Sequence, residues 1–318
     1  MTIPLLARSF AGSILLIAAL ATGPAAAQLA EFRGASVGYT FDAPVDFGPK
    51  GSLTFHTVRV DAARPLVLGP LLLIPALRYQ LTRVEQEAPN AAAPGVRDLH
   101  FAALGLSGVF PLSSSWRISL TGGLNLASDL VESLSLHDFS LSGTALVLYT
   151  FSPHFSAGLG VSYDGRTGDL LPVPVGLLAW EPVSNFAIRG LVPSNFSIAF
   201  RPEPHVTLEL VALLDGERYH LGSPAGQSQE VALSQVRTGA GVRLHLTKGL
   251  HLELLGGVVP WRRFETFSSG ASTANFRPSM NPFVAVNFWL GLSGWRSDLP
   301  TPAPAETGPS TDPADAAR

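Results

Sequence analysis

Residues 230–259 read EVALSQVRTGAGVRLHLTKGLHLELLGGVV. In the first half Val236, Thr238, Ala240, Val242, Leu244 and Leu246 share one face, and Gln235, Arg237, Arg243 and His245 the other. After Thr247, Lys248 and Gly249 the alternation resumes, with Leu250, Leu252, Leu254 and Val258 on the apolar face and His251 and Glu253 on the polar one. A period of two on both sides of a three-residue turn spells a β-hairpin. A soluble sandwich would bury such an apolar face under a second sheet. The rest of the chain decides between that cover and lipid.

The same alternation recurs at 34–41, 72–84, 99–110, 115–126, 139–149, 155–163, 205–214 and 283–292, and less regularly at 52–60. The stretch 172–180 is weakened as a strand by Pro172 and Pro174. Residues 185–190 and 195–201 flank Leu191-Val192-Pro193 and read as two strands or one broken one. No helical segment is available to cover this much apolar surface, and lipid is the partner left for it. The expected fold is all-β, a transmembrane antiparallel up-and-down barrel of about 12–14 strands, an even number closing such a barrel.

Composition agrees. Charged residues make up 14% of the 318 positions, against roughly a quarter in soluble domains. A net charge of −3 leaves no basic footprint for nucleic acid. With no cysteine there is no disulfide, thiol nucleophile or cysteine metal site. Residues 1–27, with Arg8, an apolar run over 13–21 and Ala25-Ala26-Ala27 before Gln28, have the form of a secretory signal peptide. The barrel is expected over 28–296 and a disordered Pro/Ala-rich tail over 297–318.

Connections after Phe110, Thr150, Trp180, Arg201 and Leu246 are short, whereas those after Val84, Leu126, Leu214 and Val259 are long, with loops expected at 85–97, 215–229 and 260–282. Short and long ends alternate, as they do in outer-membrane barrels. On these features residues 30–295 resemble the porin-like outer-membrane β-barrels of Gram-negative bacteria. The resemblance implies export to the bacterial outer membrane, a lipid surround and insertion by the barrel-assembly machinery. Such proteins often end on an aromatic strand; here Phe288-Trp289-Leu290-Gly291-Leu292 is followed by the tail.

With apolar faces outward, the lumen-facing set comprises Arg78, Arg117, Arg189, Arg201, His205, Glu209, Arg237, Arg243, His245, His251 and Glu253. Such a lumen reads as net basic and suits small solutes, anions above all. Alternatively these arginines pair with interior acids and fill the barrel, leaving a closed structural or binding barrel whose loops engage a partner or a surface. His245, His251, Glu209 and Glu253 are placed as a hydrogen-bonded network rather than a metal site, since no zinc spacing is present. No nucleotide fingerprint, nucleophile elbow or catalytic residue stands out, and no cofactor or enzyme activity is expected.

Overall fold

The computed structural model of the chain describes residues 33–46, 51–86, 96–165, 172–222, 229–247, 249–268, 271–276 and 279–291. The expected leader and tail lie outside these residues, as does most of the loop 85–97. Among the described residues there are sixteen strands: β1 (Arg33–Asp46), β2 (Ser52–Ala63), β3 (Leu66–Leu68), β4 (Leu71–Gln86), β5 (Arg97–Pro111), β6 (Trp116–Ser128), β7 (Phe139–Ser152) and β8 (Phe155–Asp164), then β9 (Val173–Val183), β10 (Phe186–Val192), β11 (Asn195–Glu203), β12 (Val206–Leu221), β13 (Gln229–Thr247), β14 (Leu250–Ser268), β15 (Ala271–Phe276) and β16 (Asn281–Gly291). Fourteen of them form the wall, each antiparallel to its neighbours, and β16 returns to β1 to close the ring. The short strands β3 and β15 pair only with β4 and β14.

The alternation in the sequence produces the two faces. Outward positions carry exposed leucines such as Leu104, Leu124, Leu159 and Leu210, a surface that is costly in water and stable in lipid. At the short-turn end Trp116 packs on Tyr149 with ring centres 4.7 Å apart, and Trp180 and Phe200 are exposed on the same belt. Toward the other end the exposed Tyr39 and Tyr79 hydroxyls each meet a histidine, His56 and His100, at 2.8 Å. Beyond them outward-facing ion pairs begin, including Arg83–Asp98 at 2.8 Å. Aromatic belts and then charges are what the two edges of an apolar band require.

Several expectations need correcting. The stretch expected as a polar loop over 215–229 is largely strand: β12 continues to Leu221 in unbroken register with β13, from Asp215 opposite Gln235 to Leu221 opposite Gln229. The one expected over 260–282 is likewise strand as far as Ser268, and β15 follows. The segment around Leu191 is two strands, turned at Pro193-Ser194, and 172–180 is a strand in spite of its prolines.

The extended end of β12 leaves its place in the wall. It reaches β6, on the far side of β7–β11, and forms a parallel bridge between His220 and Ser128. Asp129 secures the junction, accepting from the Gly222 N–H at 3.0 Å and from Arg97 at 2.9 Å, while its own N–H donates to the His220 carbonyl at 3.2 Å. A single 3-10 turn, Leu136–Asp138, follows β6 and is closed by a capping box from Ser135.

Candidate functional site: the barrel interior

Side-chain contacts and burial sort the interior into three clusters, or levels. The first, at the long-loop end, is filled. Phe55, Phe101, Val45 and Tyr219 are almost completely buried there, in one apolar cluster with Leu53, Val84, Leu99, Leu233 and Phe264. The Tyr219 hydroxyl on β12 hydrogen-bonds to Thr82 and Gln80 on β4. At this height the end of β12 has left the wall for β6, and the buried Tyr219 ring fills the narrowed bore. Beside it Asp42 accepts from Arg262 at 2.6 Å and from Arg237 at 3.0 Å. Arg237 also holds Asp215 at 3.0 Å, and Arg262 donates to Gln235 at 2.8 Å. Charges so deeply withdrawn persist only when paired.

The second level, in the middle, is lined by small or hydroxylated residues: Gly38, Thr40, Gly105, Ser107, Thr121, Gly123 and Thr144 share the inward face. Here Asp61 takes both Arg59 and Arg78 at 2.7 Å. Their side chains are 25%, 40% and 35% exposed respectively, in contrast to 2% and 1% for Asp42 and Arg262. The middle is therefore hollow where the long-loop end is filled.

The third level lies toward the short turns. Arg243 is gripped by Glu209 at 2.7 Å and Glu253 at 3.1 Å, with its guanidinium 5.0 Å from the centre of the Trp289 ring. Asn287 donates to the second oxygen of Glu253 at 2.9 Å. His251 stacks on Trp289 with centres 3.9 Å apart and meets His245 edge-on at 4.7 Å, and His245 is 3.0 Å from the Thr207 hydroxyl. Gly38, of the middle level, borders this network: a Cβ there would overlap the Asn287 side-chain oxygen, which would have to shift.

The residues singled out in the sequence are thus distributed. Glu209, Arg243, His245, His251 and Glu253 come together as one network. Arg78 joins the middle level, and Arg237 the filled end. Arg189 pairs with Glu181. Arg117 sits opposite Leu148 near the short turns, and Arg201 lies 3.5 Å from the Thr207 hydroxyl. His205 is in the exposed turn between β11 and β12, apart from the others. Among the described residues no group of three or more His, Asp or Glu could hold a metal. The sequence leaves the facing of Arg59 open and gives no notice of Asp61, Asp42, Tyr219 or Arg262. The inward succession Ser36, Gly38, Thr40 carries straight on to Asp42 and was the available signal for it.

A closed antiparallel wall of fourteen strands with an apolar belt outside defines the class, the transmembrane up-and-down β-barrel. Within it the chain belongs to the family described as a domain of unknown function (DUF6268), whose model matches residues 77–293. No curated protein matches it in sequence. Similar solved structures are an outer-membrane channel from Pseudomonas putida F1 (9% identity, 85% of this chain and 99% of that one, TM-score 0.43), the NanC porin (6%, 81% and 100%, 0.39) and LpxR from Salmonella typhimurium (9%, 80% and 99%, 0.31). These likenesses add nothing to the fold that the strand registers establish.

Proposed function

We propose that the protein is an outer-membrane channel for small solutes, exported behind a cleaved leader at 1–27 and inserted by the barrel-assembly machinery, with a preference for anions in its hollow middle. The observation that carries the reading is the sharing of one carboxylate, Asp61, between two partly exposed arginines, Arg59 and Arg78. The trio sets two guanidinium groups around one carboxylate on the interior face, and a basic lining attracts anions as it does in anion-selective pores. The remaining arginines contribute less, because Arg189 and Arg237 are balanced by neighbouring carboxylates, and Arg243, held between Glu209 and Glu253, belongs to a cluster with one negative charge in excess nearer the short turns. Catalysis forms no part of this reading.

The test is the reversal potential of the refolded protein in a planar bilayer under a salt gradient. Anion preference is expected to fall in Arg59→Ala/Arg78→Ala and to rise in Asp61→Asn. A potential that neither change moves sinks the anion station. A second reading, the closed structural or binding barrel, is favoured by the buried Tyr219 and its apolar neighbours filling the long-loop end of the bore. It expects silence from a protein that heat-modifiable gel mobility reports as folded.

A further inference from the structure

We infer that the inner wall over β5–β8, with the arginines beside it, is a binding site for a hydroxylated carboxylate of the sugar-acid kind, whose carboxylate meets Arg59 and Arg78 and whose hydroxyls meet a ladder of serines and threonines. The inference deepens the channel reading above and rests on it for the choice of an anion.

The ladder is a consequence of register. Ser107 is opposite Thr121, Thr121 opposite Thr144 and Thr144 opposite Ser162, so four consecutive strands each place one hydroxyl in the same row. The row shares its face with the buried Phe101 on β5 and Ala127 on β6, which is the inward one. Thr121 is exposed on that face, so open space lies in front of it. Ser107 and Thr121 share a hydrogen bond of 2.9 Å, and so do Thr144 and Ser162. Each shared bond uses one proton of its two hydroxyls. The first pair keeps a proton for a ligand, whereas in the second Ser162 also donates to the Gly143 carbonyl at 3.4 Å and leaves lone pairs. The ladder donates at one end and accepts at the other.

The next row toward the long loops has almost no side chains. Gly105 is opposite Gly123 there. Where a Cβ would stand at Gly105, the nearest atom of another strand is the Gly122 carbonyl oxygen at 3.7 Å, and no side chain reaches the spot. At Gly123 the neighbour is the Ser142 hydroxyl, which accepts from the Asn125 side-chain amide at 3.2 Å and so has its own proton to give. One row further on, Arg78 is opposite Ala103. From Ala103 to Ser107 is four steps, about 13 Å along the strand. A bare floor of backbone thus separates a guanidinium from a row of hydroxyls by the length of a small saccharide. Arg59 joins Arg78 at Asp61, donating through Nε at 2.7 Å and Nη2 at 3.2 Å, and a guanidinium carries donors beyond those two.

Each part of the site excludes a simpler ligand. Chloride or acetate satisfies the arginines and does not reach the ladder. A neutral sugar satisfies the ladder and forgoes the charge-assisted bonds, which are the stronger ones. A phosphate monoester brings a second negative charge up to Asp61, where it is repelled. A monovalent carboxylate on a hydroxylated frame meets all three conditions.

The experiment uses the refolded full chain in detergent micelles, titrated calorimetrically with D-glucuronate, glucose and acetate. Glucuronate is expected to bind about tenfold more tightly than either of the others. Arg59→Gln/Arg78→Gln should weaken it about tenfold and Thr121→Val about fivefold, the effects of losing one charge-assisted and one neutral hydrogen bond. Gly105→Leu sets a side chain into the open strip and should abolish binding while heat-modifiable gel mobility stays that of the parent. Acetate binding as tightly as glucuronate overturns the ladder's part, and glucose doing so overturns the arginines'. Undiminished binding in Thr121→Val and in folded Gly105→Leu overturns the location. Glucuronate binding with an electrically silent bilayer removes the channel and keeps the site; steady anion-selective current without glucuronate binding does the reverse.

Discussion

Arg262 and Asp42, 220 positions apart, meet at 2.6 Å with side chains 1% and 2% exposed. Their contact ties β14 to β1 past the intervening β16, and Arg237 joins from β13 at 3.0 Å. One carboxylate thus organises two arginines in the filled end of the barrel.

Replacing Asp42 by Asn leaves Arg262 buried without its counter-charge. Removing one partner of a buried pair costs about 3–5 kcal/mol. Urea unfolding in lipid vesicles, followed by tryptophan fluorescence, is expected to show a loss of that size. An Asp42→Asn/Arg262→Met double variant should recover part of it, since an apolar side chain of similar length leaves no unpaired charge against Phe55, which the Arg262 guanidinium now covers at 4.6 Å.

Tyr219 offers a test of the filled end as a barrier. Tyr219→Phe keeps the ring and removes only the bonds to Thr82 and Gln80, so bilayer currents should match those of the parent. Tyr219→Ala removes the buried ring that fills the narrowed bore and is expected to cost about 3–5 kcal/mol, as for other large buried aromatics, while raising single-channel conductance. Equal currents from the parent and both variants would mean that ions pass elsewhere.

At Gly38 the expected effect is on stability. Gly38→Val forces the Asn287 side-chain oxygen to shift, at a cost of about 1–3 kcal/mol for an overpacked site. Gly38→Val/Asn287→Ala should be less destabilised than the sum of its parts, because the clash is already relieved. Strict additivity in urea titrations would rule out the contact as the cause.

The wall is legible in the sequence because lipid outside and a polar bore inside impose opposite demands on neighbouring residues, as in Val242 against Arg243 or Leu77 against Arg78. The filled end is not, because there the demands change. Past the belt the outer face of β12 and β13 meets water, so Arg218 pairs outward with Glu230 and stacks over Phe267 at 4.3 Å. Meanwhile the inner face mixes Asp215 and Glu217 with Tyr219 and Leu221. A stretch with polar residues on both faces reads as loop, and 215–229 is expected as one for that reason. The interior network fared better: Arg243, Glu253, His245 and His251 lie two apart on facing arms of a single hairpin, where register follows from the turn alone. Asp61 and Arg59 fall in 52–60 or just beyond it, where weak alternation leaves the facing open.

The parallel bridge between His220 and Ser128 follows from simple parity. Strands that reverse direction at every step can close a ring only in even number, as the fourteen of the wall do. Where β12 turns aside to meet β6, it leaves out β7 through β11 and encloses β13, β14, β16, β1, β2, β4 and β5. That smaller circuit has an odd membership, so one seam in it must join strands running the same way. The seam is at His220. The molecule is in this sense two rings sharing most of their staves, a wide one in the membrane and a narrow one above it. Any relative that adds or loses a single hairpin among β7–β11 changes the bore of the first while leaving the second intact.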